Sequence, residues 1–246
     1  MTATAHEVLD TCIDRVIPEK YQAEAEQAER DEQGDAIRLA LVRKKMWKNG
    51  RELKITFLDG DPAVQAKVAD VAKEWMKHAN IKFNFGNHAN ADIRISFKQV
   101  GYWSALGTDA LVVEYFPKNQ PTMNYQGFSK ATSDAEYRRV VTHEFGHALG
   151  CIHEHQNPAN GIKWNKEQVY RDLSGPPNNW DRATIDHNMF AKYSSEVTNH
   201  TRFDPKSIML YAFPRTWTTD GMTFPSNTQL STTDKEYIGK QYPKKR

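Results

Sequence analysis

Apolar positions along the chain change period several times, and each change marks an element. Leu53-Lys54-Ile55-Thr56-Phe57-Leu58 alternates apolar and polar side chains, the pattern of a half-buried strand. Asp59-Gly60-Asp61-Pro62 then supplies a turn, an N-cap and a proline in the first helical turn. Beyond it Val64, Val68, Val71, Trp75 and Met76 fall on one face of a helix. Residues 81–85 and 91–97 return to strand-like patterns. Strand, helix, strand, strand predicts a mixed sheet with a helix packed on it.

The next long periodic segment is residues 134–149. Ser133-Asp134-Ala135-Glu136 has capping-box spacing, and Tyr137, Val140, Val141, Phe145 and Leu149 form the apolar stripe. Gly150 can adopt the left-handed backbone that ends a helix. Past Gly150 regular pattern thins: Asn157-Pro158-Ala159-Asn160-Gly161 and Ser174-Gly175-Pro176-Pro177-Asn178-Asn179 read as loops. Short helices are expected over 165–173, 180–190 and 233–241. A sheet-bearing first half therefore meets a loop-rich second half at Gly150.

Charge adds one boundary. Residues 1–35 carry ten acids and three bases, whereas residues 36–58 carry seven bases and one acid. Residues 21–30 hold good helix formers with almost no apolar stripe, the pattern of a solvated acidic arm. The compact domain is expected to begin near Ala36. Composition excludes several classes: the net charge of +2 gives no field suited to nucleic acid, and no apolar run is long enough to span a bilayer. Two cysteines, Cys12 and Cys151, cannot build a disulfide framework. The first twenty residues lack a signal-like apolar segment, so the expectation is a cytoplasmic protein, a leaderless export route or a trimmed leader.

The chemistry concentrates in His143-Glu144-Phe145-Gly146-His147-Ala148-Leu149-Gly150-Cys151-Ile152-His153-Glu154. Four residues apart on a helix, His143 and His147 project from one face and can reach one ion. Glu144 sits one position round, beside the ion without ligating it, where a general base for water belongs. After a reversal at Gly150, His153 can return as a third ligand. Three neutral imidazoles leave an open position, the catalytic arrangement of zinc. Chance would place the five-residue core in about two per cent of such chains and the extended motif in about two per million. The remaining histidines lack this spacing and read as surface or supporting residues.

With these residues the chain resembles the metzincin zinc peptidases, whose motif runs H-E-x-x-H-x-x-G-x-x-H, and Glu154 after the third histidine is similar to the astacin branch. Ser207-Ile208-Met209-Leu210-Tyr211 resembles the astacin Met-turn. The run from Leu230-Ser231-Thr232-Thr233-Asp234 to Tyr242-Pro243 resembles the closing helix of metzincins. The resemblance implies an α+β catalytic domain, with an upper lobe of mixed twisted sheet and helices over about 36–150 and a lower irregular lobe over about 151–246. The active-site helix would lie at the cleft between them. It further implies one catalytic zinc on His143, His147 and His153, with Glu144 as general base. Met209 would form an apolar floor, and Tyr211 would act as a switchable fifth ligand that turns to the tetrahedral intermediate. Glu154 would anchor a trimmed terminus or make a buried polar contact. Cys151 replaces the aromatic typical of astacins, and the disulfides of animal astacins are impossible here, so the pattern looks bacterial or fungal.

The function expected is a monomeric zinc endopeptidase acting on protein or peptide substrates, with no nucleic acid and no membrane. The alternatives are a noncatalytic zinc-binding interaction module on the same scaffold, which would not need Glu144, and a leaderless secreted effector protease of narrow target choice. Residues 1–35 form an arm or a prosegment. Within it Cys12 is a candidate latency residue, because a thiolate binds zinc strongly. Gln33-Gly34-Asp35 is similar to the astacin propeptide motif in which an aspartate occupies the zinc. The plainer reading of Cys12 and Asp35 is a free thiol and a loop acid. After the Met-turn, Arg215 follows Pro214 and can offer a carboxylate-binding fork to the residue after the cut, or can simply be solvated.

Overall fold

A computed structural model, which describes residues 12, 13, 15, 17–21, 23–27, 45–176, 178–192 and 202–244, builds a five-stranded sheet from the first half of the chain. The strands are β1 (Glu52–Phe57), β2 (Lys82–Phe85), β3 (Ile93–Ser96), β4 (Tyr102–Ser104) and β5 (Met123–Tyr125), in the order β2-β1-β3-β5-β4. Pairing is parallel except between β4 and β5, so β4 is an antiparallel edge. Register sets Ile55 beside Ile93 and Ile95 beside Met123, which stacks the buried apolar positions on one face. The expected strands at 53–58, 81–85 and 91–97 form within a residue or two. β4 and β5 are three residues each, too short for a period of two to show in the sequence.

Helix α1 (Pro62–Ala72) starts where Asp61 accepts a hydrogen bond from the Ala63 amide, with Pro62 at the first position. It packs through Val64 and Val68. Helix α2 (Asp134–Ala148) crosses behind the sheet, with Phe145 against Phe83 and Phe85. The Ser133 hydroxyl caps it by accepting from the Glu136 amide, but Glu136 turns to Arg139 at 2.8 Å rather than back to Ser133. Its other end is fixed from three directions. Gly150 takes φ +92°, the Trp47 indole N–H donates to the Ala148 carbonyl at 2.7 Å, and the Tyr242 hydroxyl donates to the Leu149 carbonyl at 2.9 Å. Carbonyls that a helix leaves unpaired at its C-terminus are thus satisfied by side chains far away in the chain.

The second half holds α3 (Lys166–Ser174), α4 (Arg182–Ile185) running into a π-helical turn (Asp186–Phe190), and α5 (Thr232–Gln241). These elements match the three short helices expected. A second apolar cluster, including Val169, Ile185, Met189, Phe213 and Trp217, sits beneath them. Among the described residues no helix is long and apolar enough to cross a membrane.

The N-terminal arm corrects one expectation. The boundary near Ala36, the latency candidate Asp35 and the end of the expected helix at residue 30 lie outside the described residues. Within them, residues 23–27 are helical as expected, yet the arm is docked rather than solvated. Ile17 and Ala25 are buried in the main core, Tyr21 meets Tyr115 at 5.6 Å, and Arg15 lies 4.2 Å over the Trp103 ring. The Glu24 carboxylate accepts from the Val113 and Glu114 amides at 2.7 and 3.1 Å. A few apolar and aromatic anchors, Ile17, Tyr21 and Ala25 among them, hold the arm, too few to read as a core stripe in a segment rich in charge.

Lys45 forms a 2.6 Å ion pair with Asp109, a carboxylate only 1% exposed. Burial raises the Asp109 pKa even with Lys45 beside it. Lys45→Met is expected to lower the unfolding free energy at pH 7 by about 3 kcal/mol, because it leaves that carboxylate buried and unpaired. The loss should shrink in acid, where Asp109 accepts a proton. Urea unfolding at both pH values checks this, and an unchanged midpoint at pH 7 would refute it.

Candidate metal centre

Three histidines and a thiol converge at the foot of α2. The ligand-capable atoms of Cys12, His143, His147 and His153 lie within 4.8 Å of one another, and all four residues are buried. The His147 Nε2 is 3.2 Å from the His143 Nε2 and 3.0 Å from the His153 Nε2. One tetrahedral ion at ordinary Zn–N distances asks for about 3.3 Å between ligand nitrogens.

The ring orientations are set by the opposite nitrogens. His143 Nδ1 lies 2.8 Å from the Ile208 carbonyl and His147 Nδ1 lies 2.8 Å from the Cys151 carbonyl, and a carbonyl only accepts, so each Nδ1 carries the hydrogen. That leaves each Nε2 lone pair facing the cluster. Burial, followed by the neighbouring histidines, holds the His143 pKa well below the usual imidazole range, and burial does the same for His153. Neutral imidazoles with inward lone pairs and a soft sulfur make a donor set that fits zinc.

Cys12 is the correction that matters most for function. The arm was expected to lie outside the domain, but Cys12 bridges β4 at Tyr102, and the Ile13 amide donates to the Tyr102 carbonyl at 3.0 Å. The exposed hydrogen-bonding edge of β4 captures the arm as a short parallel addition. Its thiol then donates to a Glu144 carboxylate oxygen at 3.4 Å, and its carbonyl accepts from the Tyr211 hydroxyl at 2.5 Å. Glu144 is 1% exposed.

The Met-turn packs directly beneath. A Cβ added to Gly146 would lie 2.4 Å from the Met209 sulfur and 3.1 Å from Trp75, so a larger residue there would push the Met209 side chain aside. Asp234, at the start of α5, accepts from the Ser207 hydroxyl at 2.7 Å and the Ile208 amide at 2.8 Å, which ties the turn to the closing helix.

The family model described as matrixin matches residues 46–170, the stretch that carries the sheet, α2 and all three histidines. The chain belongs to the matrixin family. It is a zinc metalloprotease with a metzincin-type fold. Two solved structures of myroilysin are similar to this matrixin. One is 43% identical, with a TM-score of 0.80, over 84% of this chain and 99% of the other. The second is 39% identical, with a TM-score of 0.67, over 97% and 93% respectively. High choriolytic enzyme 1, a hatching enzyme zinc-protease from the medaka fish Oryzias latipes, shares the fold at 19% identity, with a TM-score of 0.55 and coverage of 82% and 96%. Comparison with curated proteins gives no match.

In this matrixin the other site candidates are also located. The Glu154 carboxylate accepts from Asn157 and from the Asp204 amide, both at 2.9 Å, and burial raises its pKa to about 7. Arg215 is exposed, with its guanidinium against Gly221. Strand β5 is internal to the sheet; the edge strand beside the metal centre is β4. Sequence reading missed this edge and the aromatic packing around Tyr211. Only Gly101 and the aromatic pair Tyr102-Trp103 hint at the strand.

Proposed function

We propose that the protein is a zinc endopeptidase of astacin-like type, held latent by its own N-terminal arm. His143, His147 and His153 would hold one zinc through Nε2. When bound, zinc lowers the pKa of a coordinated water and polarises the scissile carbonyl. Glu144 takes the proton from the attacking water and returns it to the leaving amine nitrogen. The Tyr211 hydroxyl donates to the scissile carbonyl oxygen as negative charge develops there. Once the arm is displaced, the edge of β4 that it occupies receives an extended substrate backbone by strand addition.

One observation carries this reading: a peptide carbonyl, that of Cys12, already sits on the Tyr211 hydroxyl, while the thiol of the same residue touches Glu144 and faces three histidines. Latency follows, since Cys12 fills the space that water and substrate need. Glu154, half-buried with a raised pKa, would anchor a trimmed N-terminal ammonium. Arg215 would receive an acidic side chain after the cut, on a turn stiffened by Pro214.

The test is metal analysis combined with casein cleavage after removal of the arm. One zinc per chain, with cleavage lost to a chelator and restored by zinc, is the expected result. Cleavage without any metal requirement would overturn the reading.

Acid should remove the metal later than it would from exposed histidines. Only neutral imidazole ligates, and burial disfavours the protonated form of His143 and His153. Proton competition is therefore displaced to a pH below the ordinary histidine value of about 6.5. Zinc content after dialysis should stay near full at pH 6 and fall only in more acidic buffer. Half-loss at pH 6.5 or above would contradict the neutral, desolvated ligand set.

A further inference from the structure

His155 is not one of the candidate metal ligands, yet it lies 1% exposed against the Tyr211 ring. The two ring centroids are 4.6 Å apart with planes 29° from parallel. His155 also stacks on His153 at 5.2 Å, and His153 meets Tyr211 at 4.3 Å. The three rings are thus in mutual contact, and Tyr211 cannot move toward or away from the metal centre without sliding along His155.

His155 is itself pinned. Its Nε2 is 2.7 Å from the Asn188 carbonyl, which can only accept, so Nε2–H donates. Gln156 donates in parallel to the His187 carbonyl at 3.1 Å. Both carbonyls belong to the π-helical turn Asp186–Phe190, whose last carbonyls have no partner inside the turn. The Asn188 side chain braces that turn by donating to the Thr184 carbonyl at 2.8 Å, and Asn160 holds the His155 backbone by donating to its carbonyl. A single-turn π-helix thus serves as a fixed wall behind one imidazole.

We propose that His155 is a positioning residue for Tyr211, a ring platform anchored on the π-helical turn that aims the tyrosine hydroxyl at the substrate carbonyl. This rests on the role of Tyr211 given above. A tyrosine has two side-chain torsions to fix, and the hydroxyl lies at the far end of both, so a small tilt of the ring moves it out of hydrogen-bond range. His153 alone cannot fix the ring, because its orientation is already committed to the metal centre.

The test compares His155→Ala and His155→Phe in the Cys12→Ala chain, where the thiol no longer competes. His155→Ala is expected to lower kcat about tenfold, the usual scale for a supporting residue behind a reactive group, with KM within about twofold and zinc content unchanged. His155→Phe, which keeps the ring but loses its anchor on the π-helical turn, should recover only part of kcat. In a Tyr211→Phe background His155→Ala should cost almost nothing further, since the hydroxyl it aims is gone. A general structural role predicts the same loss in both backgrounds, and that result would overturn the proposal.

A readout independent of catalysis separates this from failure of the protease reading. In 3-fluorotyrosine-labelled protein the fluorine resonance of Tyr211, assigned with Tyr211→Phe, should shift and broaden in His155→Ala and do so less in His155→Phe, which keeps the ring contact. An unmoved resonance in His155→Ala would sink the platform role even if the enzyme is active. Conversely, a moved resonance in a chain that cleaves nothing would retain the contact and refute the proposed reaction.

Discussion

Glu144→Ala is expected to lower kcat by at least about 10³-fold while the zinc stays bound. General acid–base groups typically contribute 10²–10⁴-fold, and Glu144 is asked to do both halves of the proton transfer, from water and to the leaving amine. The carboxylate lies on α2 one position from His143, is 1% exposed and already accepts from a thiol at 3.4 Å, so it can reach a donor inside the metal centre. It offers no atom to the His143, His147 and His153 cluster, which is why metal content should not follow activity down. The comparison is made in the Cys12→Ala chain, with zinc measured on the same samples used for peptide cleavage. Activity within tenfold of the parent would remove Glu144 from the mechanism. Loss of zinc together with activity would instead make it part of the metal-binding set.

Cys12→Ala is expected to raise cleavage on the order of tenfold or more, the second of the large effects. One residue engages Glu144 through its thiol, Tyr211 through its carbonyl and the β4 edge through its backbone bridge to Tyr102. Removing the sulfur frees the metal centre and Glu144, because thiolate is the strongest ligand type that this cluster could hold. The backbone of the arm would still lie on β4, held by Ile17, Ala25 and the Glu24 carboxylate. Activation by the point substitution should therefore be incomplete, and deletion of residues 1–27 should exceed it. The initial rate on a short peptide decides the matter. An unchanged rate in both variants would reduce Cys12 to a buried thiol and the arm to a structural tail.

Much of this could be read from local pattern. Helix α2, its serine cap and the glycine that ends it follow from spacing over a few residues, as does the common face of His143 and His147. Strands β1 to β3 showed through alternation. The arm did not, because its anchors Ile17, Tyr21 and Ala25, although four residues apart, are too few to stand out among charged neighbours and are defined as core only by the surface they meet. The edge strand itself is three residues long. A segment that short takes its conformation from its neighbour β5 rather than from its own side chains.

The sequence by itself determined the candidate ligand types, their order and the helix that presents two of them, since those depend on contacts within one or two turns. It also marked the Met-turn and the capped closing helix, through motifs that satisfy their own backbone groups locally. Only the tertiary structure decided that Cys12 meets Glu144 across 132 residues and Tyr211 across 199. It also decided that His155 backs Tyr211 from a π-helical turn. Such contacts arise because a closing core must satisfy each polar group that it buries, and the nearest partner in space has no fixed offset in sequence.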